Sequence, residues 1–436
     1  MNRKRIPTGY LWIAGISFLS ACTLDEPAPG SVGTTLNLAA NQNYSLTSLS
    51  WTPVKVTGFK EYVILQSTDE IPSTPAPEIS ANVSVLKRID DADVTSFSAA
   101  NILFSPKVCY KLYASVDDRF IQSSNVCVQQ DFKLLNGFYD RGGHMEGLDE
   151  MVLFDRVEQH LVSYNYKTGN ITNTVNDIFL SFPIIEMSGW AGTTNVFAYD
   201  QSPGTLRKYR FPELTSNMLK NFGGVLFAAN VYEQFIFVAV EESGKAFQVV
   251  NRTNLTVIDT KQGSLGNRNI SVFPGNHTGD PLIVLEISDN TINRYSIDAA
   301  GKATFLGSRS PGVNQLSTQN STAKGTGLFI AGRAGNILNR DGDILGALAG
   351  GINAFVLIAR FSEDEKKAVY IFSDNINISL QVADISNPGN VGSLVSYNIP
   401  SANYADLLVD DNIIYIVGVS FATGQAQTFV LKFPMP

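Results

Sequence analysis

The chain has 436 residues, 44% of them hydrophobic and 17% charged, with a formal net charge of −8. A sequence this apolar can bury real cores and is not a disordered charged tail. Its acidic balance argues against a nucleic-acid partner, which would need a basic face to displace counterions. Three histidines and three cysteines are too few for rich metal or redox chemistry, and no cofactor or metal is expected. The 35 glycines, 26 phenylalanines and 16 tyrosines point to an all-β fold.

The chain opens with basic Asn2-Arg3-Lys4-Arg5, an apolar run from Tyr10 to Leu19, and small residues before Cys22. That order describes an export signal over 1–21. The run is too short to span a bilayer, which takes about 20 apolar residues. The tetrad Leu19-Ser20-Ala21-Cys22 resembles the lipobox of bacterial lipoproteins. The resemblance implies that the Cys22 thiol is acylated and that the lipid bilayer is a partner; the alternative is an ordinary signal with a chance cysteine. Thr23 follows the cysteine, and by resemblance to enteric lipoproteins this implies the outer membrane. Asp25-Glu26 is similar to the export signal of Bacteroidetes-type surface lipoproteins and implies exposure at the cell surface. Residues 22–30 read as a flexible tether.

Residues 31–129 carry short β-rich runs: Thr34–Leu38, Leu46–Trp51, Glu61–Gln66, Val83–Lys87, Thr95–Ile102, Val108–Val116 and Ser123–Val128. Seven strands in about 100 residues is the count of an immunoglobulin-like sandwich. Trp51 is placed to plug the space between two sheets. Phe104-x-Pro106-x-x-x-Tyr110 resembles the tyrosine corner of fibronectin type III domains, which implies that fold for the segment and a Tyr110 hydroxyl tied to the preceding turn. Cys109 and Cys127 belong to an exported chain and can oxidise. Facing each other across a hairpin, they would centre it on Asp118, with Asp117-Asp118-Arg119 as a three-residue turn. Two free buried thiols are the alternative. The segment is either a spacer or a binding module.

From 130 to 436 one apolar run recurs with a period of about 44 residues: Met151–Phe154, Asn195–Tyr199, Phe235–Val240, Leu282–Ile287, Leu328–Ala331, Ala368–Phe372 and Ile413–Val417. A strand precedes each run, and a more amphipathic strand and often a turn follow it. Four strands per repeat is one blade of a β-propeller, and seven runs imply seven blades. A four-stranded sheet cannot bury both faces alone, whereas a closed ring of sheets buries each face on a neighbour. Asp131–Asn136 is expected to pair with the last blade and fasten the ring. The alternatives are a ring of six or eight blades, a β-solenoid or two sandwiches. Leu380–Pro388 with Val409–Gly418 is similar to the LVIVD repeat of bacterial surface propellers, which supports the architecture only.

Catalytic signatures are sparse. His144, His160 and His277 are isolated in sequence; His144-Met-Glu146-Gly-Leu-Asp149-Glu150 reads as a solvated loop or, if it curled, a metal seat. Asn339-Arg-Asp341-Gly-Asp343 lacks the closing carboxylate of a calcium loop and reads as a hairpin turn. Function in a propeller sits on the face carrying the second-to-third-strand loops. Asp200, Glu241, Glu242, Asp289, Arg333 and Asp374 lie there and are the candidate ligand-binding residues. The favoured function is a membrane-anchored binding, adhesion or accessory lipoprotein that contacts a glycan, peptide or protein. The first rival is a glycan-active hydrolase or lyase using channel carboxylates, with Glu241-Glu242 as the motivating pair. The second is an outer-membrane assembly scaffold.

Overall fold

The computed structural model describes residues 35–100, 105, 107–130, 133–145, 147–177, 179, 183–241, 245–264, 267–275, 280–313, 315–316, 320–323, 325–348, 354–374, 377–420 and 427–436. The export segment with Cys22 and the tether, and also Phe104, Pro106, Asp131, Glu146, Glu242 and His277, lie outside the described residues. Among the described residues there is no α-helix, and every strand pairing is antiparallel. The fold is all-β.

Eight strands come first: β1 (Leu38–Asn43), β2 (Leu46–Trp51), β3 (Phe59–Ser67), β4 (Val83–Ile89), β5 (Ser96–Ala100), β6 (Lys107–Val116), β7 (Arg119–Gln122) and β8 (Val126–Gln129). They form two sheets, β1-β2-β5 and β4-β3-β6-β7, with β8 also on β6. Alternate residues of each sheet point inward, so Leu49 and Trp51 of the first meet Tyr62, Ile64, Tyr110 and Leu112 of the second in one core. Trp51 sits edge-on to Tyr62 at 5.5 Å between ring centres, as its expected plugging role requires. The Tyr62 hydroxyl accepts from Val54 N at 2.7 Å. The Tyr110 hydroxyl bonds Thr47 and Gln130. It therefore links the second sheet to the first and to the chain leaving β8.

Three local expectations change. The first strand runs Leu38–Asn43, not Thr34–Leu38. Its polar residues are held by a hairpin in which Asn43 faces Leu46, and its alternating half-buried pattern carries little apolar signal. The expected strand Ser123–Val128 begins later, at Val126. Ser123 both donates to Leu112 O and accepts from Leu112 N, and the register then shifts by one residue between β7 and β8. The turn after β6 holds two residues, because Val116 pairs with Arg119 and Asp117 takes a positive φ of 50°. The register shift brings Cys109 opposite Cys127, and the two form a disulfide.

After the short strand β9 (Lys133–Leu135) come seven four-stranded sheets. Sheet one is β10 (Tyr139–His144), β11 (Glu150–Asp155), β12 (His160–Asn165) and β13 (Asn170–Asn176). Sheet two is β14 (Ile184–Trp190), β15 (Thr193–Asp200), β16 (Thr205–Arg210) and β17 (Thr215–Asn221). Sheet three is β18 (Val225–Tyr232), β19 (Phe235–Glu241), β20 (Lys245–Asn251) and β21 (Val257–Gln262). Sheet four is β22 (Arg268–Phe273), β23 (Leu282–Ser288), β24 (Ile292–Ile297) and β25 (Ala303–Arg309). Sheet five is β26 (Asn320–Ala323), β27 (Leu328–Ala331), β28 (Asn336–Asn339) and β29 (Ile344–Ala347). Sheet six is β30 (Phe355–Phe361), β31 (Lys367–Ser373), β32 (Ile378–Asp384) and β33 (Gly392–Asn398). Sheet seven is β34 (Asn403–Asp410), β35 (Ile413–Ser420) and β36 (Gln427–Pro434), completed by β9.

Each recurring apolar run is the second strand of its sheet. Those strands are buried on both faces, as Phe235–Val240 shows, whereas fourth strands such as β17 alternate with solvent. That difference follows from position: an inner strand has a sheet on either side, an outer one has water along its edge. The first strands of successive sheets touch in order around a circuit, and the seventh touches the first. This is a β-propeller arrangement. Its last sheet takes in a strand from the beginning of the repeat region, Leu135 facing Thr428 and Lys133 facing Val430. Gly142 and Gly143 allow the first strand to lie close to both neighbours. A Cβ on Gly143 would stand 2.6 Å from Ile185 O, and one on Gly142 would stand 3.2 Å from Asp406 Cβ.

The sandwich is docked on the ring, and Leu36–Pro436 is one compact unit. Leu46, at the start of β2, belongs to the apolar core that Val369, Leu407 and Phe433 build between sheets six and seven.

Candidate functional site: the central channel

The first strands enclose a polar channel. Its wider part is a cavity of about 760 Å³ walled by the first strands of sheets one to six. A smaller cavity of about 300 Å³ lies between sheets five, six, seven and one. His144, Ser321, Thr322 and Arg360 line both, so they mark the waist where the two meet.

At that waist three sheets share one carboxylate. Asp406, on β34, is 1% exposed; its Oδ2 lies 2.9 Å from His144 Nδ1 on β10, and its Oδ1 lies 2.8 Å from Arg360 Nη2 on β30. Leu407 N also donates to it, at 2.8 Å. Burial alone would push this carboxyl up, but the charges of His144 and Arg360 and these hydrogen bonds outweigh it and hold the group down to about 2. Asp406 is therefore ionised and can only accept. His144 must carry its proton on Nδ1 toward it.

The other charged groups of the wall are also paired within the ring. Glu186 accepts from Val231 N of the next sheet at 3.0 Å. Arg268 and Glu286 are both 0% exposed and 3.0 Å apart. Glu286 further accepts from Ser264 N and Asn293 Nδ2, and Arg268 donates to Val240 O and Ala246 O. The Arg268 guanidinium also lies 4.8 Å from the centre of the Phe227 ring, which is half-buried in the channel wall. Asn230 donates to Ile270 O. Gln201, Asn267, Asn269, Ser321 and Thr322 complete the polar lining.

The residues singled out from sequence lie at the ends of second strands and in the turns that follow. Asp200 is 1% exposed at the end of β15, where it accepts from Thr205 Oγ1. Glu241 is exposed at the end of β19. Asp289 takes Leu316 N on its backbone carbonyl. Arg333 lies 4.6 Å over the Phe355 ring, and Asp374 caps its own turn through Asn377 N. Glu242 is outside the described residues, so no Glu241–Glu242 pair is described. Among the described residues, none of these five lines either channel cavity. Gln201, one residue beyond Asp200, does.

Among the described residues, His144 is the candidate histidine that reaches the channel, and it does so from a strand, not a loop. Its sequence neighbours disperse: Asp149 pairs with Lys167, and Glu150 bonds Ser163. His160 meets the Tyr139 hydroxyl at 3.2 Å. Asn339–Asp343 is the hairpin turn it was read to be, with Asn339 Oδ1 accepting from Asp341 N and Asp343 N. Asp406, Arg360, Glu186, Asn230 and Phe227 carry no local motif. Their one signal is a polar or aromatic side chain interrupting an apolar first strand.

No protein family and no curated protein matches the chain. Among solved structures it is similar to the C-terminal WD40 domain of Sif2, at 14% identity over 68% of this chain and 96% of that one, with a TM-score of 0.44. It is also similar to BamB from Moraxella catarrhalis, at 11% identity over 74% of this chain and 91% of that one, with a TM-score of 0.44.

Proposed function

We propose that this chain is a lipid-anchored protein of the outer cell envelope, held by Cys22. In this reading a fibronectin type III-like sandwich leads into a seven-bladed propeller, and the propeller is a binding platform whose channel receives the end of a glycan. The observation that carries the reading is the chemistry of the channel wall. Its charged groups are tied into the ring, and beside them the cavity offers amides, hydroxyls, backbone groups and the Phe227 ring. Amide and hydroxyl side chains both donate and accept, which suits sugar hydroxyls. An aromatic face suits the apolar side of a sugar ring. A cavity of about 760 Å³ is of the size that takes small ligands.

Glycoside hydrolysis needs two working carboxylates about 5–10 Å apart. The acids that line the two cavities, Glu186, Glu363, Glu365 and Asp410, and the buried Asp406 at the waist each accept hydrogen bonds within the ring. This supports binding over cleavage. Calorimetric titration of the full chain with a panel of oligosaccharides tests the reading. Binding that weakens at least tenfold on Phe227→Ala supports it. A panel without any heat of binding, with a protein co-purifying instead, overturns it in favour of a scaffold.

A further inference from the structure

We propose that the channel waist is an acid-reading subsite, in which Arg360 pairs with a ligand carboxylate and His144 takes the adjoining hydroxyl. The ligand class is then a saccharide carrying a carboxylate, of the uronic-acid type. This rests on the glycan reading above and narrows it.

The geometry is set by Asp406. One buried carboxylate holds two side chains from two other sheets and spends a single oxygen on each, at 2.9 and 2.8 Å. Neither side chain is used up by that contact. Arg360 gives Nη2 to Asp406 and Nη1 to Ala359 O. Its Nε has no partner among the described residues, and its side chain is 31% exposed. A guanidinium has five N–H donors in a planar fork that fits a second carboxylate. With Nδ1 facing Asp406, His144 has Nε2 left, also without a partner among the described residues; a ring nitrogen there hydrogen-bonds a hydroxyl, which can both donate and accept.

Charge decides the direction of entry. The smaller cavity carries Glu363, Glu365 and Asp410. Glu363 accepts from Asp411 N, Glu365 from Gly325 N and Thr326 N, and Asp410 from Lys167 and Tyr166. Three carboxylates crowd that side and disfavour an anion there. The wider cavity has Glu186 as its acid beside the internally paired Arg268 and Glu286. An acidic saccharide therefore enters through the wider cavity and stops with its carboxylate at Arg360.

The test is calorimetry of the full chain with tri-galacturonate, its fully methyl-esterified form and the neutral galactose trisaccharide. The acid is expected to bind at least tenfold tighter than the ester. Arg360→Gln should bring that ratio near one by weakening the acid far more than the ester, with Arg360→Lys restoring part of it. His144→Phe should weaken acid and ester alike. Equal binding of acid and ester, or a ratio that survives Arg360→Gln in a protein that still folds, overturns the acid-reading site and leaves the glycan reading standing. Failure of all three trisaccharides to bind overturns this proposal outright, and the glycan reading falls with it only if the wider panel is also silent.

Discussion

Ser45 and Lys432, 387 positions apart, exchange two hydrogen bonds: Ser45 N donates to Lys432 O at 2.9 Å, and Lys432 N donates to Ser45 Oγ at 2.9 Å. Ser45 is buried in the β1–β2 turn, and Lys432 lies on the third strand of the last sheet. With Leu46 in the core between sheets six and seven, this contact makes sandwich and ring one mechanical body. Scanning calorimetry should show a single unfolding transition for both. Ser45→Ala removes the hydroxyl acceptor and should cost about 1–3 kcal/mol, because Lys432 N is then buried unpaired. Two well-separated transitions in the wild-type chain would contradict the coupling.

The disulfide stands just ahead of the strand that closes the ring. Cys127 lies on β8, three residues before Gln130, and β9 begins at Lys133 and completes the last sheet. Cys127→Ser should cost about 3 kcal/mol by the loop-closure argument. Amide exchange at residues 133–135 should accelerate on reduction, while exchange in β19 stays unchanged. Equal exchange at 133–135 with and without the disulfide would show that ring closure does not depend on it.

Glu286→Gln leaves Arg268 buried without its counter-charge and should destabilise the chain by about 3–5 kcal/mol. Replacing both, as Arg268→Met with Glu286→Leu, removes the unpaired charge and should cost less than Glu286→Gln, the remaining cost coming from Ser264 N and Asn293 Nδ2 left without their acceptor. Urea titration of the three variants measures both. A double variant as unstable as Glu286→Gln would contradict this account of the pair.

Asp406 gives the acid limb of stability its shape. Its carboxyl is held down to about 2 in the folded chain against 3.8 unperturbed. A depressed folded value stabilises the native state above the unfolded value. That contribution, on the order of 2 kcal/mol, is lost as pH falls from about 4 toward 2. Asp406→Asn should lower stability at neutral pH and flatten the acid limb. A melting profile between pH 5 and 2 as steep in Asp406→Asn as in wild type would contradict it.

Repetition and strand placement were legible in the sequence because burial is periodic. Each second strand is a run of β-branched and aromatic residues, such as Phe235–Val240, with sheets on both sides. The pairing of β9 with β36 was legible for the same reason, since a ring needs its ends joined. The first strand, Leu38–Asn43, was hidden because its pairing is fixed by a hairpin and not by apolar residues. The channel was hidden for a different reason. His144, Arg360 and Asp406 come from three sheets, and their meeting depends on the ring closing between sheets seven and one, which no local spacing encodes. The turns that carry Asp200 and Arg333 were easy to find, but what those side chains face is set by their own hairpins and neighbours.

The central claim is that ligand enters the channel, and plugging it tests that most directly. Ser321 lines both cavities at the waist, half-buried on β26. Ser321→Trp fills the opening from a side chain that holds no sheet contact described above. Calorimetry with the tightest-binding oligosaccharide should show at least a hundredfold loss of affinity at an unchanged melting temperature. Undiminished binding to the plugged, folded protein would contradict the account.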